Sequence, residues 1–254
     1  MSFIDIALQC CDAGDYLSKG AECAQDNVCY GDLRPIGDYL WFSIPSRLGL
    51  PDKSLIAANF AVAAIGLLLS VFALRKLLSA VHNVTLSKSA LLILLLLSAC
   101  IHAIFLLPTI FNTLSDPPAS MALLSGIWLL VLAHYNANVA ARILQFFLGG
   151  LCLGLAVWLR AFYLYPVLAG LVVYMLLWIF SSKKKREELL VFLALLPIGV
   201  QFFVMHQMYG TYGYLGEEST SRWARAHLNT PYIGYDTIFP RDGYFWSPQH
   251  CAAT

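Results

Sequence analysis

Charge is what this sequence has least of. Only 12% of its 254 residues are Asp, Glu, Lys or Arg, against 59% hydrophobic. A soluble domain carries about 25% charged residues. Half that supply cannot dress a water-soluble surface, which excludes a soluble enzyme and a disordered tail. The formal net charge of +1 carries no polyanion signal, so nucleic acid is not an expected partner. Internal repeats, low-complexity tracts and linkers are also lacking. The stretch Met1–Cys11 is too short, and has no basic residue, for a cleavable signal peptide.

Long apolar runs are present instead. A membrane helix needs about 20 apolar residues. Six segments qualify: Leu55–Leu74, Ala90–Phe111, Ala119–Tyr135, Ile143–Leu159, Phe162–Phe180 and Leu190–Met208. None contains Asp, Glu, Lys or Arg. A soluble helical protein would scatter charge along one face of each helix. The expected fold is therefore all-α, a multi-pass helical membrane protein. Three parts are expected: an outer segment 1–54, a six-span domain 55–208 and an aromatic-rich outer tail 209–254.

Lys and Arg set the orientation, because short cytoplasmic loops are enriched in them. Arg75, Lys76 and Lys88 follow the first span. Arg142 precedes the fourth, and Lys183–Arg186 precede the sixth. The intervening connections, Asn112–Pro118 and the turn at Arg160–Ala161, hold one acid and one base. Basic loops thus alternate with poor ones, which sends 1–54 and the tail outward. Residues 1–54 hold eight acids and four bases, which suits that side.

Seven cysteines are present. Cys100 and Cys152 fall inside spans, where a thiol behaves as a small apolar group. Cys10, Cys11, Cys23, Cys29 and Cys251 fall outside, where disulfides can form. Cys23 and Cys29 stand six apart and can close a loop. No histidine pair has zinc-ligand spacing, and no metal site is assigned; a need for a divalent ion is left open.

The outer segment reads as a short amphipathic helix, with Leu17, Ala21 and Ala24 at helical spacing and Tyr16 on the flank. Asp12 stands at or before its start, where a lone Asp ordinarily caps. Pro and Gly turns then feed an aromatic-rich stretch, Tyr39 to Phe42, of the kind found at membrane interfaces. Arg160 closes a charge-free span and, read alone, is a snorkelling anchor. His102, His134 and His206 lie in or at the ends of spans. His206 is the best functional candidate of the three, beside Gln207 near the outer surface. In the tail, Arg222-Trp223-Ala224-Arg225 sets aromatic beside base, which suits carbohydrate or phosphate and equally suits seating on the bilayer.

The order Asp12-x-x-x-Tyr16-Leu17-x-x-x-Ala21, then Arg34-Pro35-x-Gly37, then Leu48-Gly49-Leu50 and a long apolar span, resembles the first outer loop of integral-membrane glycosyltransferases of GT-C type. That group includes protein O-mannosyltransferases and lipid A aminoarabinose transferases. Asn112 to Asp116 resembles their second acidic loop, and Leu155 to Arg160 their apolar run ending in Arg. The resemblance covers about residues 10–180. Members usually carry a span before the Asp loop and more spans in total. It implies an inverting transfer of a hexose or pentose, at the outer face of a bacterial inner membrane, from a polyprenyl-phosphate sugar to a glycan or lipid acceptor. Asp12 and Asp116 would then be catalytic. Asp15, Tyr16, Arg34, Arg160, His206, Arg222 and Arg225 would bind substrate, with no cofactor beyond the lipid-linked donor. A carboxylate deprotonates the acceptor, and a guanidinium pairs with the departing phosphate. Membrane lipids are a further expected partner, and a membrane protein is a candidate one. A non-catalytic subunit or remnant on the same scaffold is the alternative. A small transporter is the third, disfavoured by the lack of repeats and by the few broken spans.

Overall fold

The computed structural model describes residues 12–26, 29, 35–82, 87, 89–93, 95–96, 116–181, 186–210 and 214; for 12–15, 81, 82, 116 and 209 it describes the backbone only. Every regular element among the described residues is helical. Two short helices, α1 (Asp12–Asp26) and α2 (Ile36–Leu48), precede the bundle helices α3 (Ser54–His82), α4 (Asp116–His134), α5 (Val139–Leu159), α6 (Leu164–Phe180) and α7 (Leu195–Tyr209). A 3-10 turn, Ala161–Tyr163, joins α5 to α6, and a 3-10 segment, Arg186–Ala194, leads into α7. The protein is an all-α polytopic membrane protein. Five stretches among the described residues are long and apolar enough to cross a membrane: Ser54–Ala80, Pro117–His134, Val139–Leu159, Ala161–Phe180 and Arg186–Met208. Five of the six expected spans are thereby accounted for. The remaining one, Ala90–Phe111, lies for the most part outside the described residues.

Composition explains the boundaries. Pro117 and Pro118 occupy the first turn of α4, where a missing N–H costs nothing. Asn138 caps α5, its side chain accepting from the Ala141 N–H at 3.2 Å. Gly49 ends α2 in the left-handed region, φ 63°, and the Leu50 N–H reaches back to the Pro45 carbonyl at 2.8 Å. The first bundle helix is longer than expected. Arg75 and Lys76, expected in a loop, are still helical, because nothing after Leu74 breaks the helix before His82. Arg75 lies 21 residues beyond Ser54, about 31 Å along the axis. That distance matches the roughly 30 Å hydrocarbon core, so both cations stand clear of it.

α5 is the hub. It packs against α4, α7, the 3-10 segment, α2 and α6. Its glycines permit the approach: a methyl group at Gly150 would lie 2.6 Å from the Leu190 carbonyl oxygen, and one at Gly154 would lie 2.6 Å from that of Ala194. This is the small-xxx-small logic of membrane helix packing, where close backbones replace a hydrophobic driving force. The main core joins Leu153 and Val157 of α5 to Leu164, Val167 and Leu171 of α6, and to Val191, Ala194 and Ile198. By contrast Phe162, Tyr165, Val172, Leu177 and Phe180 face outward, as a lipid-facing surface requires.

The two ends of the bundle differ. At one, Arg142 of α5 donates from Nε to Glu187 Oε1 at 2.9 Å, while its Nη1 donates to the Asn136 carbonyl at 3.3 Å. Arg75, Lys76 and Arg186 belong to this basic end. The other end carries α1 and α2, with Arg160 and Gln201 beside them.

Candidate functional site

The site is built where α1 and α2 dock on α5 and α7. On α1, the residues read at helical spacing for a surface helix were Leu17, Ala21 and Ala24, with Tyr16 on the flank. The buried positions are instead Tyr16, Gly20 and Cys23, one residue round the helix. Gly20 sets this face: a methyl group there would lie 2.5 Å from the backbone of Phe42. The helix therefore lies on α2 rather than alone on a bilayer surface. Tyr16 is 1% exposed and stacks on Phe42 with centroids 4.8 Å apart, and Leu55 of α3 completes the cluster.

Cys23 and Cys29 are joined in a disulfide, as their spacing permits. Arg47 locks the resulting loop onto α2, its Nη2 donating to the Cys23 carbonyl at 3.1 Å and its Nε to Ser43 Oγ at 3.0 Å.

The centre of the site is one hydrogen bond. Arg160 Nη1 donates to the Tyr16 hydroxyl at 2.7 Å, across 144 residues of chain. Arg160 can do this because α5 ends on it: its backbone is extended, φ −146° and ψ 110°, which turns the side chain off the helix end. Two of the expected binding residues are thus brought together. Asp12 opens α1 one turn before Tyr16, and Asp15 immediately precedes Tyr16. Asp116 opens α4, four residues before Ser120, whose Oγ lies 2.8 Å from the Tyr163 hydroxyl, three residues beyond Arg160. By backbone position, Asp12, Tyr16, Arg160 and Asp116 all sit at the end carrying α1 and α2. His206 is exposed in the last turn of α7. Arg34, Arg222 and Arg225 lie outside the described residues.

Three buried polar residues here were not singled out from sequence. Asp38, 1% exposed, sits in the first turn of α2, where the helix dipole favours a negative charge. Its neighbour Gly37 packs so closely on α5 that a methyl group would lie 2.5 Å from the Trp158 carbonyl oxygen. Gln201, 0% exposed, clasps both flaps: its Oε1 accepts the Ile36 N–H at 2.9 Å, and its Nε2 donates to the Tyr214 carbonyl at 3.1 Å. Tyr214 in turn donates its hydroxyl to the Val157 carbonyl at 3.0 Å, and burial pushes its phenol well above the usual range. Asn59 of α3 is 0% exposed, one turn along from Leu55. The available signal was a polar residue at the core register of an apolar helix, visible for Asn59 and Gln201 in their own runs.

Among the described residues, no group of three His, Cys, Asp or Glu side chains can hold a metal ion. Comparison with protein families, with curated proteins and with solved structures finds no match to the chain. The chemistry the site can support therefore rests on its own residues. A guanidinium can pair with phosphate, and acids one turn or one element away can take a proton.

Proposed function

We propose that the protein is a membrane glycosyltransferase of GT-C type. It transfers a sugar from a polyprenyl-phosphate donor to a cell-surface glycan or lipid-linked acceptor, at the outer face of a bacterial inner membrane. The observation that carries this reading is the Arg160–Tyr16 hydrogen bond. It ties the arginine that ends a charge-free span to the helix that opens with Asp12. Arg160 pairs with the donor phosphate, whose chain lies in hydrocarbon at the same depth. Tyr16 holds the guanidinium fork in place. Asp12 accepts the acceptor's proton as the new glycosidic bond forms, and the phosphate leaves against Arg160. The disulfide agrees with the outward placement that the basic loops imply.

The test is Asp12→Asn, which keeps size and capping ability and removes the proton acceptor. Transfer of labelled sugar from polyprenyl-phosphate carriers should fall by about 10²–10⁴-fold at unchanged expression. Full activity would remove Asp12 and pass the role to Asp15. No transfer by the wild-type protein from any hexose or pentose carrier would remove the enzyme itself.

The same hydrogen bond favours a second reading, a non-catalytic subunit in which Tyr16 and Arg160 only clamp α1 to the bundle. Tyr16→Phe separates the two. A clamp predicts lower thermal stability with no activity to lose, whereas the enzyme predicts a fall in transfer as the fork loses its support.

A further inference from the structure

Arg47 stands against both sulfurs of the Cys23–Cys29 bridge. Its Nη2 lies 3.8 Å from Cys23 Sγ and 3.8 Å from Cys29 Sγ, while the same nitrogen donates to the Cys23 carbonyl at 3.1 Å. The cation is seated from behind. Its Nε donates to Ser43 Oγ at 3.0 Å, and that hydroxyl, on a residue 0% exposed, donates in turn to the Leu40 carbonyl at 2.8 Å. A clamp on the loop needs only the bond to the carbonyl. A charge against the sulfurs acts on something else. A disulfide is neutral and gains little from a cation, whereas a thiolate gains a full ion pair. Arg47 therefore stabilises the opened pair more than the bridged one, as basic neighbours do for reactive cysteines. The C-terminal ends of α1 and α2 oppose a thiolate with roughly half a negative charge each, spread over several carbonyls. A whole positive charge in contact outweighs them. The acids on this part of α1 are Glu22, paired with Lys19 at 3.0 Å, and Asp26 at the last position.

The two sulfurs are not equivalent. Cys23 is 2% exposed, on the face of α1 that docks on α2, whereas Cys29 is half-buried and Arg47 beside it is exposed. Solvent thus reaches the bridge at Cys29. An incoming thiolate attacks the sulfur it can reach, and exchange is faster when the thiol that leaves is the more acidic one. Here the buried sulfur is the one that leaves, and the guanidinium stands where its charge forms. We propose that Cys23–Cys29 is a reversible exchange site for a dithiol partner. The partner's thiolate attacks Cys29 Sγ, the Cys29–Cys23 bond breaks, and its electron pair stays on Cys23 Sγ as a thiolate against Arg47. The partner's second thiol then displaces Cys29 from the mixed disulfide and gives it its proton. The partner ends as a disulfide, oxidised by two electrons, and the pair ends as one thiol and one thiolate. Such exchange does not depend on sugar transfer.

The experiment treats the full chain in nanodiscs with reduced and oxidised glutathione in graded ratios at neutral pH. Glutathione is a monothiol, so the mixed disulfide can be trapped with acid and each cysteine mapped by peptide mass spectrometry. In wild type, glutathione should be caught on Cys29 and not on Cys23, and the bridge should open and close reversibly. Arg47→Gln removes the charge and should shift the balance toward the closed bridge by about tenfold, the equivalent of one unit of thiol acidity. Arg47→Lys keeps a charge without the fork and should fall between the two. Glutathione caught on Cys23, or a bridge that no ratio opens, overturns the exchange site from wild type alone, with no variant needing to fold. Loss of a mere clamp loosens the loop and predicts the opposite sign. Equal or easier opening of Arg47→Gln therefore also overturns it, and leaves Arg47 holding the loop and nothing more.

Discussion

At the scale of single residues, Arg160 and Tyr214 do opposite kinds of work. Arg160 spends one guanidinium nitrogen on Tyr16, and its planar fork is what distinguishes it from lysine. If it holds the donor, Arg160→Lys should weaken polyprenyl-phosphate binding and Arg160→Ala should weaken it more. A charge-assisted bond is worth about 1.5–3 kcal/mol, or roughly ten- to hundredfold. A mere interfacial anchor predicts equal affinity for wild type and the lysine variant, since either side chain can snorkel. Binding assays on the two variants in nanodiscs decide the matter. Tyr214 is structural, and its prediction concerns pH. Its phenol is kept neutral by burial, so its folded pKa lies above the unfolded value of about 10. The stability it contributes is complete below pH 10 and drains away as pH climbs above it. Tyr214→Phe should cost about 0.5–1.5 kcal/mol at pH 8, for the bond to Val157, and should flatten the alkaline loss of stability. Thermal melts of both proteins in detergent between pH 8 and 11 check this, and parallel curves would show that Tyr214 does not titrate with unfolding.

At the scale of elements, two glycines in comparable apolar helices have different surroundings. A methyl group at Gly150 meets the carbonyls of Leu190 and Val191, whereas one at Gly170 of α6 meets nothing within 4 Å. Gly150→Ala should therefore lose about 1–3 kcal/mol by overpacking. Gly170→Ala should be neutral or slightly stabilising, since alanine is the better helix former. Melting temperatures of the pair report whether α5 is the hub. The spans themselves were legible because a 20-residue apolar run has one physical use. The helix faces were less so. The inward side of α1 follows from the fit of Gly20 against the Phe42 backbone, a tertiary contact that the Leu17-Ala21-Ala24 spacing cannot announce. The last span begins as a 3-10 segment at Arg186 rather than as an α-helix at Leu190. Close packing of that backbone on Gly150 and Gly154 accompanies the tighter winding, and neither is written in local propensity.

At the scale of the whole molecule, reporter fusions after Lys88, Ser115 and Arg186 should read inside, outside, inside. An outside signal at Arg186 would invert the topology and put Asp12 on the wrong face. If the basic loops face inward, maleimide labelling at Cys23 and Cys29 in sealed cells should appear only after an impermeant reductant is added, because the two are bridged. Labelling without reductant would mean free thiols there. Spacing and the lone charge at a span end singled out Tyr16 and Arg160 in the sequence, and the structure joins those two by a hydrogen bond. The burial of Asp38 was not legible, since only the docking of α2 reveals it. Gln201 also imposes an order of events. Its side chain holds a backbone N–H that lies 165 residues earlier in the chain. Chains are made from the N-terminus, so Ile36 leaves the ribosome long before its partner exists. Until α7 is inserted, Ile36 lacks this partner, and the first flap is held by α5 through Gly37 and Arg160. A nascent chain halted before α7 thus lacks the tie between Ile36 and the bundle, and the arrival of α7 is the event that sets it.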